Sequence, residues 1–334
     1  MTALITAILL AIVSGALSGY FFIPYFRNKK TGVNSRFIPK RNDAPEHAKT
    51  TGGAFVILTG LVFGTTSGLV LLNLTEKTTD FKLKMLVPFG FFILAIVAIG
   101  YADDWLTDLK GQNVGLKSHH RLICLVLVSA IFLLLYRNMG GDSYVKTPFV
   151  NGQIGLGYFY MPVMILLVTA VCESMRLMTL TEGTAGCSGL VMLLCVGISA
   201  LLLKNMEVAI ILMSSVGALC AFLGWNLPPS QIKIGNAGKY LLAGLVVSCC
   251  FINSSEGAIP LVFAMPLVFL IALPVDRLFY KITGNRIFGK LPVDQQLKAM
   301  KWKDYKIIIF YTAFSVVTCG LYVFSVYREI KLLN

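Results

Sequence analysis

Long runs of apolar residues without charge dominate the sequence and restrict what it can fold into. A helix needs about 20 consecutive apolar residues to cross a bilayer, and stretches of this kind recur along the whole chain. We predict ten such helices, at residues 2–26, 51–74, 85–102, 119–136, 158–178, 188–203, 208–226, 239–256, 258–280 and 305–327. The predicted fold class is an all-α polytopic membrane protein in which residues 1–334 form a single integral membrane domain.

The composition supports this fold class and limits the kinds of binding partner to be expected. Charged residues make up 13% of the chain, whereas soluble domains contain about 25%. A net charge of +13 would suggest a nucleic-acid partner in a soluble protein. In a membrane protein it instead reflects the positive-inside bias and contact with anionic membrane lipids or a phosphorylated substrate. We therefore expect no nucleic-acid partner, and we interpret the scattered cysteines as packing residues.

The distribution of Lys and Arg predicts the orientation. Most of these 29 residues lie in the loops after the first, third, fifth, seventh and ninth predicted helices. By the positive-inside rule these five loops are cytoplasmic, and both termini are then outside. On the outer side, Asn151-Gly152 between apolar residues is typical of a two-residue type I′ turn and predicts a small external β-hairpin.

Two adjacent acids, Asp103 and Asp104, end the uncharged run 85–102. A carboxylate in the middle of a membrane costs about 2.5–3.5 kcal/mol even on lenient scales. The pair must therefore lie at the water boundary or face a polar cavity. One interpretation is an acidic helix end without further function, and the other is a Mg²⁺ or phosphate site at the membrane surface.

The other inner loops carry further candidate residues. His47 and Lys49 belong to a basic, proline-containing loop that either anchors to lipid headgroups or approaches a phosphate. The fourth loop ends in Gly235-Asn236-Ala237-Gly238-Lys239 at a predicted helix start, where backbone N–H groups favour anions. The third loop contains Glu182 in a glycine-rich stretch, and the fifth contains Asp294, Gln295 and Gln296 in a basic stretch that is otherwise typical of a lipid-facing segment.

This ordered set resembles the polyprenyl-phosphate N-acetylhexosamine-1-phosphate transferase superfamily, and within it most closely the phospho-N-acetylmuramoyl-pentapeptide transferases. The most specific stretch is Phe222-Leu223-x-Trp225-Asn226-x-Pro228-Pro229, followed by Ile232, Gly235 and Gly238. Arg286-x-Phe288-x-x-Leu291-Pro292-Val293 with Trp302 completes the set, so the likeness extends over nearly the whole chain.

The resemblance implies a two-substrate reaction at the cytoplasmic face of the bacterial plasma membrane. A UDP-N-acetyl-sugar would transfer its phospho-sugar to undecaprenyl phosphate and release UMP, with Mg²⁺ as cofactor, in the synthesis of peptidoglycan lipid intermediates. Asp103 and Asp104 would then be catalytic residues and Mg²⁺ ligands, and Arg121 would take the place of a lysine that contacts phosphate. Membrane lipids are further partners, and a homodimer is compatible with the resemblance.

The sequence departs from the family pattern at several site positions. Asn236 replaces an aspartate that binds the metal, Lys239 replaces a serine, and Glu182 replaces a shorter aspartate. Other replacements are Thr179 for asparagine, Ala185 for aspartate, and Asp294-Gln295-Gln296 for three histidines. Loss of a carboxylate weakens a Mg²⁺ site, and Lys239 can supply part of the missing positive charge.

Three hypotheses follow. The first is a divergent phospho-sugar transferase with Asp103, Asp104 and Asn236 at its metal site. Its substrate and phosphate contacts would be His47, Lys49, Arg121, Glu182, Lys239, Asp294, Gln295 and Gln296. The second is a catalytically impaired paralogue that binds lipid phosphate or nucleotide as a regulator or partner. The third is a transporter. We favour the enzyme because the twin acids occur together with His47, Lys49 and Arg121.

Overall fold

The structure, a computed structural model, describes residues 2–28, 51–75, 80–110, 115–149, 152–178, 181–285 and 293–333. Within these ranges the chain is almost entirely helical, because a backbone in lipid must satisfy its own hydrogen bonds. The helices are α1 (Thr2–Asn28), α2 (Gly53–Thr75), α3 (Asp80–Lys110), α4 (Ser118–Asn138), α5 (Tyr160–Leu177), α6 (Thr184–Leu202), α7 (Met206–Asn226), α8 (Gly235–Ile252), α9 (Ile259–Val262), α10 (Ala264–Thr283), α11 (Val293–Ala299) and α12 (Asp304–Leu333).

Nine of the described helices, α1 to α8 and α12, are long and apolar enough to cross a membrane. This confirms the predicted all-α polytopic class. The predicted helix at 258–280 is instead a bent pair, in which Glu256–Val262 and Ala264–Thr283 meet at 69°. Pro266 explains the break, because it has no N–H to donate to the carbonyl of Val262 and its ring crowds that carbonyl. The thiol of Cys319 donates to this free oxygen at 3.6 Å.

A short hairpin follows α4. Strands β1 (Tyr144–Lys146) and β2 (Gln153–Gly155) pair antiparallel, with Lys146 opposite Gln153. The predicted small β-hairpin is therefore confirmed. The prediction of a two-residue turn is wrong, because the six residues 147–152 separate the two strands. The hairpin begins at Tyr144, well before Asn151-Gly152. The first strand has only three residues and follows polar residues around Asp142, so the sequence shows no alternating strand pattern there.

The central helix of the bundle is α8, in which every residue from Ala237 to Phe251 is buried. It packs against α3, α5 and α6, while α1, α2 and α7 form a neighbouring group of closely packed helices. By contrast, α1, α4 and α12 expose many large apolar side chains, which is the surface expected toward lipid. Residues at the start of α8 are therefore held by protein on several sides.

The two ends of the bundle differ in their polar contacts. At one end, the Tyr136 hydroxyl donates to Glu256 at 3.2 Å, and Lys146 in β1 lies 3.8 Å from Glu329 near the end of α12. The hairpin and the C-terminal end of α12 therefore share one end. Asp103 and Asp104 lie at the other end of α3, opposite to the hairpin, as the alternating topology requires. Which end faces the cytoplasm stays a prediction from the Lys and Arg distribution.

Candidate functional site

The position of the twin acids is set by a close approach of α3 to α8. Gly100 lies one helical turn before Asp104 and faces the start of α8. A Cβ atom on Gly100 would lie 2.6 Å from the Cα atom of Ala237 and 2.7 Å from its nitrogen. Only glycine allows this backbone contact, which brings the acids one turn further along α3 onto the N-terminus of α8.

Replacing Gly100 by alanine should destabilise the protein by about 1–3 kcal/mol, because the backbones of α3 and α8 must separate to admit the methyl group. The matched control is Gly90→Ala on the same helix, where no described atom beyond the adjacent helix backbone lies within 4 Å of the added Cβ. The measurement is the Tm of each purified variant in detergent. An equal Tm for the two variants would contradict the close approach.

Asp104 binds the N-terminus of α8 with both carboxylate oxygens. Oδ1 accepts the backbone N–H of Asn236 at 3.0 Å, and Oδ2 accepts that of Ala237 at 3.1 Å. A helix N-terminus leaves its first N–H groups unpaired and carries partial positive charge. Asp104 therefore acts as a cap for α8 supplied by a different helix. Gly235 makes this possible, since it has a φ of 72° and its Cβ position would lie 2.6 Å from Oδ2 of Asp104.

Asp103 is buried and has a protein donor on each oxygen. Oδ1 accepts the backbone N–H of Leu116 at 2.6 Å, and Oδ2 accepts the side-chain amide of Asn236 at 2.9 Å. The guanidinium of Arg121 lies 3.8 Å from Oδ2. Asp103 thus connects the end of α3, the segment before α4 and the start of α8 through direct contacts.

A buried charge network continues from Arg121 into α5. Arg121 donates through Nε and Nη2 to both oxygens of Glu173, at 3.3 and 2.8 Å. Glu173 also accepts hydrogen bonds from Arg176, at 2.6 and 2.9 Å, and from the hydroxyl of Tyr240 at 3.1 Å. Glu173 and Arg176 are three residues apart, which places them on one face of α5, and they are paired there. The third guanidinium nitrogen of Arg121 donates to the carbonyl of Leu116 at 3.3 Å.

Lys239 lies in the first turns of α8 and is only 6% exposed. Among the residues that the structure describes, no carboxylate lies within 4 Å of its ammonium and no hydrogen bond involves it. Its principal electrostatic neighbours are the carboxylates of Glu182 and Asp104. Glu182 is held just before α6, where its Oε2 accepts the amide of Asn226 at 3.3 Å. Within the described part of the chain, the ammonium is therefore a buried positive charge without a direct partner.

The protein contacts of the two acids argue against an open Mg²⁺ site. Mg²⁺ requires oxygen ligands in near-octahedral geometry. All four oxygens of Asp103 and Asp104 already accept N–H groups, one of them from the Asn236 side chain. In the described part of the chain, no three His, Cys, Asp or Glu side chains are grouped so as to hold a metal. The predicted Mg²⁺ therefore receives no support from these contacts, and no chemical step is assigned to it.

The predicted site residues fall into three groups. The ends of α3, α4 and α8 and the segment before α6 bring six of them to one end of the bundle: Asp103, Asp104, Arg121, Glu182, Asn236 and Lys239. His47 and Lys49 lie outside the described residues, as do the side chains of Asp294 and Gln295. Gln296 lies in α11, which packs against α12, and its Oε1 is buried without a hydrogen-bond partner among the described residues. The roles assigned to all these residues stay predictions.

The sequence analysis assigned no site role to the residues that hold the site together. Glu173 joins Arg121, Arg176 and Tyr240, and Asn226 positions Glu182. A signal for Glu173 was present, because an acid inside an apolar segment usually faces the bundle interior and is paired there. Asn226 belongs to the stretch that carries the family likeness, whereas periodicity gives no signal for Tyr240.

The fold and this cluster define a multi-pass membrane protein with a polar site at the ends of its helices. Comparison with known proteins gives the family: the profile of Glycosyl transferase family 4 matches residues 86–255, just over half of the chain. The chain belongs to this family. The predicted resemblance to phospho-N-acetylmuramoyl-pentapeptide transferases is also confirmed.

Curated relatives extend the likeness over nearly the full length. The chain is 27% identical over 307 residues to a phospho-N-acetylmuramoyl-pentapeptide-transferase of Halalkalibacterium halodurans, covering 92% of each protein. It is 27% identical over 319 residues to the enzyme of that name from Clostridium perfringens, covering 95% of this chain and 94% of the relative. A relative with the same name from Clostridium novyi is 27% identical over 330 residues. These relatives support a transferase of cell-wall lipid intermediates.

Proposed function

We propose that the chain transfers a phospho-N-acetyl-sugar from a UDP-sugar to undecaprenyl phosphate at the cytoplasmic face of a bacterial plasma membrane. The observation that supports this most is the convergence of Asp103, Asp104, Glu182, Asn236 and Lys239 at one end of the bundle. A lipid acceptor and a soluble nucleotide donor meet only at such an end, where the membrane borders water.

The reaction needs little covalent chemistry from the protein. An oxygen of the lipid phosphate attacks the sugar-linked phosphorus of the donor, a new P–O bond forms, the bond to the UMP oxygen breaks, and UMP leaves. Catalysis of phosphoryl transfer consists mainly of positioning and charge stabilisation. Lys239 would bind a phosphate oxygen, since its ammonium is buried beside the N-terminus of α8 and lacks a direct partner in the described residues.

The acids would position that lysine. Asp104 fixes the start of α8, and Asp103 fixes the Asn236 side chain three residues before Lys239. The acids of α3 therefore determine where the start of α8 lies, and with it where Lys239 would bind a phosphate. Arg121 would act through Asp103 and Glu173, because its guanidinium donates to Glu173 and Leu116.

A transfer assay tests the function. Purified protein in detergent is incubated with undecaprenyl phosphate and a panel of labelled UDP-N-acetyl-sugars, in parallel with MgCl₂ and with EDTA. We expect labelled lipid and equimolar UMP for at least one donor. Lys239→Met should reduce the rate about 100-fold, the usual effect of removing one group that stabilises transition-state charge. Lys204→Met removes a lysine charge at the opposite end of the bundle and should leave the rate unchanged.

A second candidate is the catalytically impaired paralogue that binds lipid phosphate or nucleotide. It is favoured by the direct bond from the Asn236 amide to Asp103, at a position where the family pattern has a metal-binding aspartate. Absence of lipid product with every donor, together with retained binding of undecaprenyl phosphate or UDP, would support this candidate against the enzyme. Membership of a glycosyl transferase family gives no support to a transporter.

A further inference from the structure

The four oxygens of Asp103 and Asp104 are engaged by protein N–H groups. Three of the donors are backbone amides, and the fourth is the side chain of Asn236 at 2.9 Å from Asp103. The amide nitrogen of Asn236 donates to the carboxylate from a position where a metal ligand would instead present an oxygen to a cation. The partial positive charge at the N-terminus of α8 also lies against Asp104. Each oxygen of the two acids is therefore already held by the protein, and a divalent ion would have to share it with an N–H donor.

Positive charge is nevertheless present at this site. The ammonium of Lys239 is buried, and leaving it without a counter-charge is unfavourable. Its acidic neighbours are shared with other donors, because Asp104 binds the α8 backbone and Glu182 binds Asn226. Arg176 and Lys233 add further positive charge around the lysine. An anion that reaches Lys239 would complete this arrangement.

We propose that the site binds the phosphate groups of its ligand without a divalent cation, with the Lys239 ammonium as the built-in positive charge and Asn236 occupying the place of a metal ligand. The identity of the ligand as a nucleotide diphosphate rests on the proposed function. The inference that binding needs no metal does not rest on the proposed function, because it is drawn from the hydrogen bonds of Asp103, Asp104 and Asn236.

The metal arm of the test is a titration of the purified full-length chain with Mn²⁺ followed by electron paramagnetic resonance. We expect no stoichiometric Mn²⁺ site in the unaltered protein. Asn236→Asp places a third carboxylate against Asp103, and it should create one such site and raise the Tm of that variant on addition of Mn²⁺ or Mg²⁺. Asn236→Ala is the matched control, because it removes the amide without adding charge and should gain no site.

The anion arm uses inorganic pyrophosphate in EDTA. We expect pyrophosphate to raise the Tm of the unaltered protein equally in EDTA and in MgCl₂. Lys239→Met should weaken apparent binding at least about tenfold, a loss of about 1.4 kcal/mol. Lys204→Met, at the other end of the bundle, should bind as before.

One equivalent of Mn²⁺ bound by the unaltered protein and lost in Asp103→Asn would overturn the proposal. A pyrophosphate effect that requires Mg²⁺, is absent in EDTA or survives Lys239→Met would overturn it as well. Misfolding of Asn236→Asp leaves the test decisive, because the titrations of the unaltered protein and of Asp103→Asn do not depend on that variant. Metal-independent pyrophosphate binding without lipid product in the transfer assay would contradict the enzyme while supporting this site.

Discussion

Replacing Glu173 by alanine is expected to destabilise the protein by about 3–5 kcal/mol, the usual effect of removing one partner from a buried ion pair. Glu173 is 7% exposed and is the acceptor for Arg121, Arg176 and Tyr240. Without it, the guanidinium of Arg121 remains buried with only Asp103 at 3.8 Å as an opposite charge among the described residues. The measurement is the free energy of unfolding in mixed detergent and denaturant.

Two further variants test whether the loss of stability in Glu173→Ala comes from leaving a buried charge unpaired. Arg121→Met combined with Glu173→Leu should be less destabilising than Glu173→Ala alone, since the buried guanidinium of Arg121 is removed together with its main partner. Glu329→Ala removes a carboxylate whose ion pair with Lys146 is exposed, and it should change stability by less than about 0.5 kcal/mol. A double variant less stable than Glu173→Ala would contradict the interpretation of this network.

Asp104→Ala is expected to destabilise the protein by about 2–4 kcal/mol, because the first N–H groups of α8 lose their acceptor. The start of α8 should then separate from α3, which would also displace Asn236 and Lys239. Hydrogen exchange measured by mass spectrometry should show faster exchange in peptides covering residues 235–241 than in the unaltered protein. The rest of α8 should change less.

Asp104→Asn provides the graded comparison. Its carbonyl oxygen can still accept one of the two N–H groups, so its stability should fall between those of the unaltered protein and Asp104→Ala. Asp142→Ala removes an exposed acid at the opposite end and serves as the charge-matched control. Unchanged exchange at residues 235–241 in Asp104→Ala would contradict the role of Asp104 as the cap of α8.

Much of the fold is predictable from the sequence because the membrane leaves few alternatives. Apolar runs of about 20 residues must become helices, and the boundaries of α2 and α7 agree with the predicted spans within a few residues. The bend between Val262 and Ala264 was not predicted, since hydropathy does not register the hydrogen bond that Pro266 removes. Asn151-Gly152 predicts a two-residue turn, but the last paired residues are Lys146 and Gln153, so the loop is longer.

The sequence was sufficient to predict which residues form the candidate site, but not which hydrogen bonds they make with one another. Charge, glycine content and family likeness pointed to Asp103, Asp104, Asn236 and Lys239. They did not show that Asn236 donates to Asp103 or that Asp104 caps α8, because these bonds depend on how α3 and α8 approach each other at Gly100. Such an approach is set by packing between distant segments, which hydrophobic periodicity does not encode.

The central claim is that the helix ends around Lys239 form one phosphate-binding site in which the twin acids hold the scaffold. A cryo-electron microscopy structure of the full chain, prepared in EDTA with UDP, tests it most directly. We expect phosphate density about 3 Å from the ammonium of Lys239, with Asp104 still accepting the N–H groups of Asn236 and Ala237. UDP bound away from Lys239, or a Lys239 ammonium closed onto Glu182 with no phosphate beside it, would contradict the claim.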